Sequence, residues 1–272
     1  MRCGIKLVDK ELQISEGVVF SRTWFPGTED LSVAVILLHD SLGCVEMWRD
    51  FPLRLAESLQ IPIIAYDRLG FGKSSARQGI PSAAFVSEEA DIYLPQILNT
   101  LKINKYILFG HSVGGAMAVM SARRQDPSCL AVITESAQSF VEELTRDGIR
   151  KAEVDFQNPQ YFAKLQRYHG DKTQWVLDAW IKVWLSVDFS SWSLENDLPL
   201  MKCPALVIHG DRDEYGSLAF PRLIAEQAGG RTELQIVENC GHVPHREQPE
   251  LILKLVTAFV TKQVSALAQS LE

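Results

Sequence analysis

The sequence predicts an α/β fold: one mostly parallel sheet covered by helices on both faces, with a helical cap inserted in its second half. Three observations predict it. Short, continuously aliphatic runs recur along the chain and alternate with segments of helical periodicity. One stretch, Ser139 to Asp197, breaks that alternation and carries four of the six tryptophans. The 272-residue chain is 46% apolar, enough for one sizeable core.

The elements follow in chain order. Val18 to Trp24 reads as an early strand that ends at the Pro26-Gly27 turn. Val33 to Leu38 is aliphatic throughout, as a strand buried on both faces must be. Ile61 to Tyr66, Tyr106 to Phe109, Leu130 to Thr134, Ala205 to His209 and Leu234 to Val237 repeat that character. Helical patterns fill the intervals: Trp48 to Leu59, Glu88 to Leu101, Val113 to Arg124, Leu218 to Gln227 and Pro249 to Gln263. Residues 1–138 and 198–272 therefore form the core, and 139–197 the cap. Within the cap Trp180 and Trp184 are four apart and share a helix face, with Leu177 three before Trp180. Aromatic residues often line small-molecule sites, so this stripe is expected to bind substrate; the alternative is that it packs the helix onto the core.

Composition excludes several functions. The net charge is −7 with no offsetting Lys/Arg run, so a nucleic acid would be repelled. Cys3, Cys44, Cys129, Cys203 and Cys240 are scattered and show no C-x-x-C spacing. Neither a zinc site nor a disulfide framework is expected, and a reducing compartment fits. Met1 to Gln13 lacks the apolar region of a signal peptide, and the longest aliphatic run, Val33 to Leu38, is far too short to span a membrane. The expectation is a soluble, cytoplasmic protein acting on a small molecule. No H-E-x-x-H, no P-loop and no G-x-G-x-x-G after the first strand is present, so no metal or cofactor is expected.

The chemistry lies in Gly110-His111-Ser112-Val113-Gly114-Gly115, between a strand and a helix. G-x-S-x-G at such a junction forces a tight bend that lifts the serine hydroxyl clear of the sheet. Glycines leave room on either side, and the next N–H, that of Val113, points to where negative charge develops. The helix N-terminus adds a favourable dipole. Serine is a weak nucleophile at neutral pH and needs a base, itself oriented by an acid. Downstream, Asp211 and Asp213 follow the strand Ala205 to His209, and His242 follows the strand Leu234 to Val237. Both positions are C-terminal strand ends, where open α/β sheets build their sites. Of the other histidines, His39 and His209 end buried strands and are expected to be structural. His111 should point away from Ser112, His169 should lie on the cap surface, with substrate contact as the alternative, and His245 should be a loop residue.

At these residues the chain resembles the α/β-hydrolase superfamily over nearly its full length. Leu38-His39-Asp40-Ser41-Leu42-Gly43 is similar to the family's HG-x-x-G oxyanion loop, and Tyr66 to Ser74 to its D-x-x-G-x-G-x-S turn. Ser112 matches the nucleophile, Gly210 to Asp213 the G-x-x-D acid loop, and Gly241-His242 the base. The resemblance implies a Ser112–Asp213–His242 triad and an oxyanion hole formed by the backbone N–H groups of Val113 and Ser41. Two departures stand out. Asp40 occupies the place of the loop glycine, and the acid loop offers Asp211, Asp213 and Glu214 together. The family pattern selects Asp213; Glu135 sits at another strand end that some members use. The implied activity is hydrolysis of a carboxylic ester or related acyl bond. C–C bond, thioester and lactone hydrolysis are the near alternatives. A cofactor-free haloperoxidase or lyase reuses the same triad, and a ligand receptor is a third class. Relatives with an aspartate or cysteine nucleophile are excluded by Ser112.

Overall fold

The computed structural model describes residues 4–269; Cys3 lies outside them. A hairpin opens the chain, pairing β1 (Lys6–Ile14) antiparallel to β2 (Gly17–Phe25). β1 escapes the aliphatic pattern because it is an edge strand: only Leu12 and Ile14 are buried, and the rest of it faces water. Then come β3 (Val33–Leu38), α1 (Phe51–Leu59) and β4 (Ile63–Tyr66). The helix expected from Glu88 is longer and composite: α2 (Phe85–Glu88) runs through a π-helical turn at Glu89–Tyr93 into α3 (Leu94–Leu101). β5 (Lys105–His111), α4 (Val113–Ala122) and β6 (Cys129–Glu135) follow. Three helices then intervene: α5 (Glu143–Asp155), α6 (Pro159–His169) and α7 (Thr173–Trp184). The chain closes with β7 (Ala205–Gly210), α8 (Ala219–Gln227), β8 (Thr232–Val237), α9 (Pro244–Glu247) and α10 (Pro249–Gln269).

The eight strands form one sheet in the order β1-β2-β4-β3-β5-β6-β7-β8. Only the β1–β2 and β2–β4 pairs are antiparallel. The continuous aliphatic runs have a simple cause: successive side chains point to opposite faces, and both faces are covered. Ile36 and Leu38 join one apolar layer with α3 and α4, while Val35 and Leu37 join the other with α1 and α10. α4 is buried on every side, which its small residues permit directly behind β5.

The segment between β6 and β7 leaves and returns at one place. Phe140 bridges Ser193, and the Leu194 N–H donates to the Ser139 carbonyl at 2.7 Å. His169 corrects the expectation of a surface role. It is 2% exposed; its Nδ1 accepts the Gly72 N–H at 2.9 Å and its Nε2–H donates to the Leu42 carbonyl at 2.9 Å. α6 also buries Leu165 in the core, and the His169 ring pins the end of the helix to two core loops. No helix among the described residues is long and apolar enough to cross a membrane.

Candidate active site

β5 ends at His111, and Ser112 turns the chain into α4 with φ 57° and ψ −127°. A left-handed φ on a residue with a Cβ is strained, by about 1–3 kcal/mol. The flanking glycines make the turn possible. A Cβ on Gly110 would stand 2.1 Å from the Gly114 carbonyl oxygen, and one on Gly114 would stand 2.1 Å from that of Leu38. The bend presses β5, α4 and β3 together, and the serine side chain leaves by the remaining direction.

His242 Nε2 lies 3.0 Å from Ser112 Oγ, and its Nδ1 lies 2.8 Å from both Asp213 oxygens. The histidine sits on the loop after β8, which Glu247 ties down by accepting the Gly241 and Val243 N–H groups. Asp213, on the loop after β7, also accepts the Tyr215 N–H at 2.8 Å. Burial alone would push the Asp213 carboxyl up. The His242 hydrogen bond and charge, the His209 charge and the Tyr215 amide outweigh it and hold the group below the usual carboxylate range. The other acids are elsewhere. Asp211 is exposed and accepts the Cys240 N–H at 3.2 Å. Glu135 turns to His245, with 2.6 Å from its Oε2 to Nδ1 and 2.7 Å from its Oε1 to the His245 amide nitrogen. His245 is thus no open loop residue: it is 4% exposed, on α9, packed against Trp48 and Phe51.

His111 bonds away from Ser112. Its Nε2–H donates to the His242 carbonyl at 2.8 Å, and its Nδ1 is 3.4 Å from Asp40 Oδ2. Burial would push this imidazole down, but the Asp40 and Glu135 carboxylates and the His242 carbonyl raise it. Asp40 also accepts the Leu42 N–H at 2.8 Å, which shapes the loop after β3. Burial favours its neutral form, but His111 and His39 hold it well below the usual carboxylate range. Among the described residues, the Ser41 and Val113 amides have no protein acceptor.

One residue of the site carries no motif. The Gln138 amide lies against the nucleophile, Oε1 at 3.3 Å and Nε2 at 3.2 Å from Ser112 Oγ. It is 4% exposed, in the loop after β6. Its Nε2–H can donate to Oγ and leave the hydroxyl proton free to face His242.

These groups open into a cavity of about 190 Å³ whose apolar walls include Met47, Ile149, Trp180, Trp184 and Val243. Trp180 is half-buried and edges toward Tyr215; Trp184 is 1% exposed and packs against Phe189 and Trp192 as well. His111, Glu135 and His245 could offer a cation three donors within 4.8 Å of one another. Glu135 bonds to the His245 amide and Nδ1, and His111 Nε2–H to the His242 carbonyl, which braces the β8–α9 loop; His245 Nε2 is buried without a partner.

The sequence pattern of the alpha/beta hydrolase family matches residues 35–255. The chain belongs to that family and is a hydrolase. It is 26% identical over 259 residues to a candidate 2-succinyl-6-hydroxy-2,4-cyclohexadiene-1-carboxylate synthase of Bacillus subtilis, covering 85% of this chain and 91% of that one. To the carboxylesterase YbfK of Bacillus subtilis it is 26% identical over 247 residues, covering 84% of this chain and 80% of that one. The crystal structure of proline iminopeptidase from Mycobacterium smegmatis superposes with a TM-score of 0.74 at 18% identity, over 95% of this chain and 99% of that chain, a likeness of fold.

Proposed function

We propose that the protein cleaves a carboxylic ester or related acyl bond through an acyl-enzyme, with Ser112 as nucleophile, His242 as general base and Asp213 as the acid that orients it. The observation that carries this reading is the hydrogen-bonded line from Asp213 through His242 to Ser112, opening into a largely apolar cavity. Ser112 Oγ attacks the ester carbonyl and its proton passes to His242 Nε2. The oxyanion is held by the backbone N–H groups of Val113 and Ser41, each worth about 3–4 kcal/mol in acyl transfer. Collapse expels the alcohol, which takes the proton from His242. Water repeats the sequence, releasing the carboxylic acid and freeing Ser112. The carboxylesterase relative supports an ester as substrate.

Residues 139–197 act as the cap in this reading. Trp180 and Trp184 of α7 form part of the acyl or alcohol pocket. The four cysteines among the described residues are free thiols, which fits a reducing, cytoplasmic setting. The test is labelling of the purified protein with a fluorophosphonate, followed by turnover of aryl esters, thioesters, lactones and β-diketones. Labelling with fastest turnover of esters supports the proposal. Labelling with turnover confined to β-diketones transfers the site to C–C hydrolysis, and absence of labelling overturns the nucleophile.

A further inference from the structure

The apolar cavity at Ser112 adjoins a second chamber, the two sharing Ser41, Trp180 and Trp184 as walls. The second chamber differs in character: Arg68, Arg77, Glu89 and Tyr93 line it. Arg68 is its unusual member. It follows β4 and is 5% exposed, with its guanidinium 4.4 Å over the Phe71 ring. Its one well-formed bond runs from Nη2–H to the Asp40 carbonyl at 2.8 Å. Nη2 also approaches His39 Nδ1 at 3.4 Å, but that nitrogen faces the Asp40 carbonyl at 2.8 Å and serves as a donor there. Nε is buried with no partner, and among the described residues Arg68 makes no ion pair. A guanidinium has five donors, and a buried one left mostly unpaired calls for an acceptor.

The neighbouring charges do not supply that acceptor. Arg77 is taken by Glu88 at 2.8 Å. Glu89 is the nearest opposite charge to Arg68 in effect, but it forms no ion pair with it. Its Oε1 accepts the Tyr66 hydroxyl at 2.6 Å, and burial pushes its carboxyl up although the Arg68 charge pulls it down. The Asp40 carboxylate is turned to Leu42 and His111. The chamber volume, about 30 Å³, holds a few water-sized groups, the bulk of a carboxylate. β4 and β5 flank β3 in the sheet, two strand spacings or about 10 Å apart, and Arg68 and Ser112 follow the C-terminal ends of those two strands.

We propose that Arg68 and this chamber form a carboxylate subsite, and that the preferred substrate is an ester bearing a free carboxylate a short chain away from the scissile carbonyl. The inference rests on the Ser112 reading and names the substrate class for it. A carboxylate there takes a charge-assisted bond from Nη1–H, the end of the guanidinium that no protein acceptor occupies. The remaining wall, from Met47 to Trp184, takes the apolar chain.

The experiment compares monoaryl esters of dicarboxylic acids of about four to eight carbons with the same compounds capped as methyl esters. For the wild-type enzyme the free acids are expected to show kcat/KM about ten- to a hundredfold higher, chiefly through KM, as charge-assisted bonds provide. Arg68→Met should bring that ratio near one, and Arg68→Lys should retain part of it. Arg68 also holds the Asp40 carbonyl, so a variant-free measurement runs beside these: inhibition of the wild type by free dicarboxylates against their diamides, with the acids expected to bind at least tenfold tighter. Equal binding of the two, or a wild-type ratio near one, overturns the subsite. Should Ser112 label and turn over neutral esters in that same protein, only the subsite falls. Should Ser112 not label, the reading beneath it falls as well.

Discussion

Replacing Asp213 with asparagine separates the roles of two buried acids. Both Asp213 oxygens lie 2.8 Å from His242 Nδ1, so the Nδ1–H is held and Nε2 is left bare toward Ser112. An asparagine amide keeps the volume, loses the charge and presents an N–H where an acceptor stood. The imidazole is then free to take the other tautomer, with Nε2 protonated and unable to accept from Ser112. Loss of orientation and of imidazolium stabilisation is expected to lower kcat by about 10⁴, or about 5.5 kcal/mol. Glu135→Gln gives the contrasting result. Glu135 bonds to His245, and a broken buried pair costs about 3 kcal/mol or more. That variant should unfold at lower temperature while its folded fraction keeps kcat within about tenfold. The assay is aryl-ester turnover at saturating substrate, normalised to active sites by fluorophosphonate titration. A Glu135→Gln loss exceeding that of Asp213→Asn would refute the assignment of the acid.

Further outcomes follow from the same geometry. Trp180→Ala should shift ester preference toward bulkier groups, read as kcat/KM across a chain-length series, because the half-buried ring borders the Ser112 cavity. Trp184→Ala should instead lose about 3–5 kcal/mol of stability by thermal unfolding, since that ring is 1% exposed. Gly114→Ala should fail to yield folded protein, or lose about 3 kcal/mol or more, because its Cβ would fall 2.1 Å from a backbone oxygen; a normal melting temperature would contradict this. The Glu135 carboxyl is held below its ordinary value: burial raises it, but the His245 charge and hydrogen bond and the His111 charge lower it further. Its stabilisation is therefore full above about pH 4.3 and is lost as pH falls below that. Acid unfolding of Glu135→Gln should accordingly be less steep in that range than that of the wild type.

The inner strands β3 to β7 were legible because they are covered on both faces, which demands unbroken aliphatic runs; β2 and the edge strand β8 showed through shorter apolar stretches. β1 was not legible, since its pairing is almost wholly through backbone and its side chains face water. The elbow was legible for a steric reason: only glycine fits at Gly110 and Gly114. What stayed hidden is the long-range pairing of polar groups. Glu135 and His245 are 110 positions apart, so no local pattern announces their contact, and His245 read as a loop residue. His169 ends a largely exposed helix, and only the folded core loops supply its Gly72 and Leu42 partners. Gln138 sits in Ser136-Ala137-Gln138-Ser139, which resembles nothing catalytic. It reaches Ser112 because β6 is the neighbour of β5 in the sheet.

The central claim is that a covalent acyl-enzyme forms on Ser112. Acid quenching of the enzyme during steady-state turnover of an aryl ester, followed by peptide mass spectrometry, tests it most directly. The account predicts one added acyl mass on the peptide containing Ser112, and no adduct in Ser112→Ala. Ester turnover with no adduct on that peptide, or with the acyl group on another residue, would contradict it.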